Sequence, residues 1–177
     1  MPTPAERLTL PVLCPEHPTP SPQPAPWISI GNASWHYTFE VPTTWQEIPF
    51  PLHPLETRIF YSDRNAYGQP EECAFPNGLM KLEFATNPKS GFEFDREGAT
   101  ETTLAELPAW IKVTENEATL PAGSIITHVF LEGPRFWYTF DLTCTPPTGA
   151  DEAVQSAYQV ACRETLDHIL ASFQILP

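Results

Sequence analysis

Trp35, Tyr37, Phe39 and Val41 alternate with His36, Thr38 and Glu40, the period-two pattern of a strand with one buried face, and Pro42 ends it. Residues 45–48 and 57–62 continue as short strands, the second with Ile59 and Tyr61 on one face. Between them Pro49, Pro51 and Pro54 interrupt pairing. Residues 63–77 are polar and turn-rich, and Asn77-Gly78 is a turn signal. Met80, Leu82 and Phe84 then alternate with Lys81 and Glu83. Residues 87–98 return to loop, with Phe92 and Phe94 as side chains able to pin it down.

Thr103-Leu104-Ala105-Glu106 has the spacing of a capping box, and Leu104, Leu107 and Ile111 follow at helical spacing. This predicts a short helix, with Pro108 tolerable in its first turn only. Residues 119–131 and 135–144 read as a hairpin with Glu132-Gly133-Pro134 as its turn. In its second strand Phe136, Tyr138, Phe140, Leu142 and Cys144 share one face, and Trp137, Thr139, Asp141 and Thr143 share the other. Residues 151–172 form the longest helical pattern, with Val154, Tyr158, Cys162, Leu166 and Ile169 near one stripe and Asp151 placed to cap it. Residues 173–176 predict a short closing strand.

Strands with one apolar and one polar face imply an antiparallel sheet, and a helix with one apolar stripe must lie across the buried face. The expected fold class is α+β, one antiparallel sheet packed against the long C-terminal helix. Cys144 and Cys162 lie on the inward sides of their elements and make a plausible disulfide; Cys14 with Cys73 follows by elimination, and the other two connectivities stay open. Without close-spaced cysteine or histidine pairs, structural zinc is disfavoured. Two disulfides imply an oxidising compartment; four buried thiols in a cytosolic chain are the alternative.

Composition adds an arm. Of the 22 prolines, nine precede Trp27, and residues 15–26 carry proline at nearly every second place, which favours an extended spacer. The expected organisation is an arm or tether over 1–30 and one domain over 31–177. Nine basic against 22 acidic residues give a net charge of −13. Nucleic acid and anionic membrane surfaces both require a basic face, so neither is expected as a partner. No apolar run is long enough for a membrane span, and no signal-peptide core follows Met1, so an exported protein would have lost its leader in this chain. A monomer is the default for so acidic a chain.

Tyr37-Thr38-Phe39-Glu40-Val41-Pro42-Thr43-Thr44-Trp45 resembles the opening "strand, proline, two residues, tryptophan" element of the PsbP-like fold. That fold is shared by the extrinsic photosystem subunit, many bacterial lipoproteins and a Ran-binding nuclear factor. Residues 166–176, with Ser172-Phe173 leading to a short strand, resemble its closing helix and strand, and Leu120-Pro121-Ala122-Gly123 is compatible with it. The resemblance covers about residues 35–176 and implies an α-β-α sandwich whose second layer, helix or loop, covers the other sheet face. It carries no site residues and no function, because the fold hosts unrelated partners.

Searches for chemistry find no nucleophile elbow, phosphate loop, dinucleotide fingerprint or paired-histidine zinc helix, so no catalytic residue and no cofactor is assigned. His36 and His128 on strands, with Glu40, are the one metal set to consider, although isolated strand histidines are commonly plain surface residues. Asn32-Ala33-Ser34 fits a glycosylation sequon. A partner surface is sought at Tyr61, Asp63, Arg64 and Tyr67 on a loop, and at Trp137, whose alternative is packing beneath a second layer. The resulting expectation is a non-catalytic, extracytoplasmic interaction module with an unidentified protein partner. Its alternatives are a small hydrolase or metal-dependent enzyme, whose cleft would gather His36, His128 or His53 with carboxylates, or a carrier of small ligands or lipid.

Overall fold

The computed structural model describes residues 26–48, 56–63, 77–115 and 120–177. Ten strands and one long helix are present among them: β1 (Trp27–Asn32), β2 (Tyr37–Pro42), β3 (Gln46–Ile48), β4 (Thr57–Tyr61), β5 (Leu79–Pro88), β6 (Thr100–Leu104), β7 (Leu107–Glu115), β8 (Ile125–Glu132), β9 (Phe136–Thr145), α1 (Glu152–Ser172) and β10 (Gln174–Ile175). They form two antiparallel sheets, β1-β2-β10 and β3-β4-β5-β9-β8-β7-β6, where one was expected. The fold is α+β, with α1 and the small sheet together covering one face of the large one.

The alternation explains why. Tyr37, Phe39 and Val41 turn one face of β2 inward; Leu82, Phe84, Tyr138, Phe140 and Leu142 turn one face of β5 and β9 toward it. All are essentially inaccessible. Burial of large apolar area is the dominant stabilising term, so this shared layer is what holds the two sheets together. Tyr138 and Phe140 also pack edge-on to Phe173 at the end of α1, at 5.1 and 5.6 Å between centroids. Helix α1 starts where Asp151 Oδ1 accepts from the Val154 N–H at 2.9 Å and buries Cys162, Leu166, Ile169 and Leu170. A disulfide joins Cys144 of β9 to Cys162 of α1, with Cα atoms 6.3 Å apart. Cys14 and Cys73 lie outside the described residues.

Two expectations are corrected. Residues 103–111 form no helix: Thr103-Leu104 and Leu107-Pro108 pair across a turn in which Ala105 and Glu106 have φ of 49° and 64°. A two-residue turn with both central residues at positive φ matches the twist of a hairpin. The stretch that follows, Ala109 to Glu115, alternates faces against β8, and that tertiary pairing outweighs the capping-box pattern. The stretch from Trp27, counted with the arm, pairs along β2 from Trp27↔Pro42 to Asn32↔Tyr37. Burial along it does not alternate cleanly, residues 28 and 29 being exposed in succession, so no period-two signal set it apart from the arm.

Gly78 opens β5 at φ +72°, and a Cβ there would lie 2.6 Å from Tyr158 Cζ and 2.8 Å from the Thr145 carbonyl oxygen. Gly78→Ala combines left-handed strain with a backbone clash, each of order 1–3 kcal/mol. A loss of about 2 kcal/mol or more in urea denaturation is expected; an unchanged midpoint would contradict this packing of Tyr158 on the β5 turn.

Candidate partner-binding surface

The two faces of the large sheet finish differently. On the outer face, Trp110, Phe130 and Trp137 lie on neighbouring strands, and residues 92–96 close over them. Phe94 stacks on Phe130 at 4.1 Å, and Phe92 and Phe94 lie 5.6 and 5.4 Å from Trp137. The Arg96 guanidinium covers the Trp110 ring at 4.7 Å. Lys112 Nζ ties the loop down through Asp95 Oδ2 at 2.6 Å, and this ammonium, with the Glu97 N–H, holds the Asp95 carboxyl below its usual range. The second layer is therefore a loop, and Trp137 keeps 7% of its surface exposed beneath it.

The sequence-derived surface is dispersed. Tyr61 is half-buried opposite Lys81 on β5, whereas Trp137 stands opposite Asn87 of the same strand. Six residues of strand, about 20 Å, separate the two positions. Asp63 is buried, and Arg64 and Tyr67 lie outside the described residues. The histidines are equally separate. His36, at φ 55°, has Nδ1 3.2 Å from the carbonyls of Leu176 and Pro177 while Nε2 accepts from Arg135 at 2.7 Å. His128 pairs with Asp141 at 2.8 Å on the outer face. Glu40 accepts from neither; its partner is His168 Nε2 at 2.8 Å, and the His168 ring stacks on Trp27 at 3.7 Å. The structure thus does not assemble His36, His128 and Glu40, and His53 lies outside the described residues. Asn32, the sequon asparagine, spends its amide on Glu56 and its carbonyl on the Ser34 N–H.

Three phenols are held protonated. Burial first, then a hydrogen bond donated to Glu56 Oε1 at 2.7 Å, pushes Tyr37 well above the usual tyrosine range. Burial alone does the same to Tyr158 and raises Tyr138. Above a phenol pKa of about 10 the native state therefore binds more protons than the unfolded chain, so stability is complete below that pH and falls as pH rises beyond it. In an alkaline titration three of the five tyrosines should ionise only with loss of the circular dichroism of the fold. Ionisation of all five with the fold intact at about pH 11 would contradict their burial.

Among the described residues the inner face is incompletely covered. Helix α1 lies along β2 and β9, leaving a groove of about 390 Å³ between the helix and the inner face of β7, β8 and β9. Its walls include Ile111, Val113, Ile125, Leu142, Leu166 and Leu170, with the Cys144–Cys162 bridge among them. Glu115, Arg163 and Asp167 also line it. Val113 is 54% exposed although it points to the core side of the sheet. The alternation of Ala109, Ile111 and Val113 with Trp110, Lys112 and Thr114 is the sequence signal that puts the first three on the inner face.

No protein-family model and no curated protein sequence matches the chain. In structure it is similar to the cyanobacterial PsbP protein CyanoP of Synechocystis sp. PCC 6803, with TM-score 0.54 and 9% identity over 89% of this chain and 97% of that one. A Bacteroides thetaiotaomicron VPI-5482 protein matches 88% of this chain at 12% identity and TM-score 0.44, and the chain spans half of that protein's length. The chain has a PsbP-like fold, as its strand-proline-tryptophan opening and closing helix implied. At 9% identity the likeness is one of fold.

Proposed function

We propose that this chain is a non-catalytic interaction module of PsbP-like fold, working outside the reducing cytosol, and that it engages a protein through the groove between α1 and β7–β8. The observation that carries the proposal is the open apolar groove with Val113 half in solvent on its wall. A contiguous apolar surface rimmed by charge is the usual mark of a partner site. The disulfide among its walls stiffens both sides and suits an oxidising compartment. The separate structural roles of His36, His128 and His168 weigh against the enzyme reading, and the groove's exposed β7 side suits a protein better than an enclosed small ligand.

A photo-cross-linking residue at Val113 in the full chain, expressed in its native cells, tests the site. A discrete protein adduct is expected there, abolished by Ile111→Arg, with none from the equally exposed apolar Ile28 on β1. Adducts at both positions, or at neither, would overturn the assignment. Alkylation of the same material, denatured but unreduced, should leave Cys144 and Cys162 unlabelled; labelling of both would place the protein in a reducing compartment.

A further inference from the structure

The groove is bordered by an open strand edge. Strand β6 pairs with β7 only as far as Thr100↔Ile111, yet β7 runs on to Glu115, held on its other side by β8 through Glu115↔Ile125. Among the described residues no strand pairs with Lys112–Glu115 on the β6 side. The chain ahead of β6 leaves that edge by design of its turn: Gly98 takes φ +74°, the Ala99 N–H bonds the Arg96 carbonyl at 3.1 Å, and Asp95 draws Lys112 to the outer face. The inner side of this strand end, Val113 and Glu115, lines the groove.

An unpaired edge offers a row of backbone donors and acceptors, and an extended peptide is the ligand that satisfies such a row while sending alternate side chains to one face. Here that face is the apolar wall of Ile111 and Val113 opposite Leu166 and Leu170. A helix would fill the groove but leave the edge groups unpaired. The groove's charged residues are two carboxylates, Glu115 and Asp167, against one guanidinium, Arg163, in a chain of net charge −13. Complementary charge steers encounter and selects the partner.

Resting on the interaction-module reading, we infer that the partner is engaged through an extended segment that adds as a strand to Lys112–Glu115, inserts alternate apolar side chains into the groove and carries a basic residue on that same face, level with Glu115. Strand addition at so short an edge gives a modest, salt-sensitive affinity.

The probe is a synthetic seven-residue peptide with lysine, valine, valine and lysine at its odd positions and threonine at its even ones, so that valines and lysines share one face, titrated onto the full chain. Two controls accompany it: the same peptide with proline at its centre, which keeps the charge but removes a strand donor, and one with glutamate in place of both lysines. We expect saturable binding, at least about tenfold weaker for either control and for the exposed-site variant Val113→Lys, a loss of about 1.4 kcal/mol. Bound peptide should also slow hydrogen exchange at the amides of residues 112–115. Equal binding of the proline peptide, or binding without protection at 112–115, would overturn the strand-addition mode. So would binding that appears only after deletion of residues 1–25, which would make the chain's own arm the occupant. Cross-linking at Val113 separates the two failures: adducts without peptide binding leave the module reading standing and remove the extended partner, whereas loss of both removes the site.

Discussion

Phe84→Ala should lower the unfolding free energy by about 4 kcal/mol, one of the largest effects available to a single substitution in this chain. Phe84 is fully buried on β5, with its ring centroid 4.5 Å from Tyr37, 4.8 Å from Phe39 and 4.8 Å from Phe140. Tyr37 and Phe39 belong to the small sheet and Phe140 to the large one, so the ring is a shared wedge between two sheets that have no strand in common. Truncation removes the transfer free energy of the ring and leaves a cavity whose walls are themselves stiff aromatics, which limits collapse. Urea denaturation followed by circular dichroism checks this. The midpoint should fall with an unchanged slope, the mark of altered stability rather than altered compactness. A loss below about 1 kcal/mol would mean that the sheets do not meet at this residue.

Cys144→Ala with Cys162→Ala should cost about 3 kcal/mol. The bridge closes a loop of 18 residues, and the chain-entropy relation for that length gives a stabilisation of this size. Both sulfurs are almost wholly buried, so reductant should act on the wild-type chain only as it unfolds. Equilibrium denaturation with and without dithiothreitol reads the effect, and the double variant should lose the reductant dependence. A wild-type midpoint indifferent to reductant would show that the bridge contributes nothing. The variant also bears on the groove, because the bridge fixes α1 over β9 beside the gap proposed as the partner site. Faster hydrogen exchange in the middle of α1 is the expected accompaniment.

Much of the fold was legible because its strands alternate cleanly. Tyr37-Phe39-Val41, Leu82-Phe84 and Tyr138-Phe140-Leu142 each announce which face is buried, and the stripe through Cys162, Leu166 and Ile169 announces the helix that covers them. With those faces assigned, the pairing of Cys144 with Cys162 follows, since both point into the same layer. The misreading at 103–111 is equally instructive. Thr103 to Glu106 satisfies a helix-start pattern, and Leu104, Leu107 and Ile111 satisfy helical spacing. Over so short a stretch the two periods overlap, and the strand partners of β7 make the choice.

The surfaces lay further out of reach. For Trp137 the sequence left open a partner surface or packing beneath a second layer, and the return of Phe92 and Phe94 across that face gives the packed position. The groove is a gap, and no residue pattern encodes a gap. The sequence by itself determined the local terms: which residues alternate, where the helix starts at Asp151, and which sides of β9 and α1 face inward. Tertiary structure alone decided that β2 leaves the main sheet, that a loop rather than a helix forms the second layer, and that β7 outruns β6 beside α1. The physical reason is range: periodicity is set by the backbone geometry of consecutive residues, whereas neighbours, coverage and vacancy depend on contacts between segments far apart along the chain.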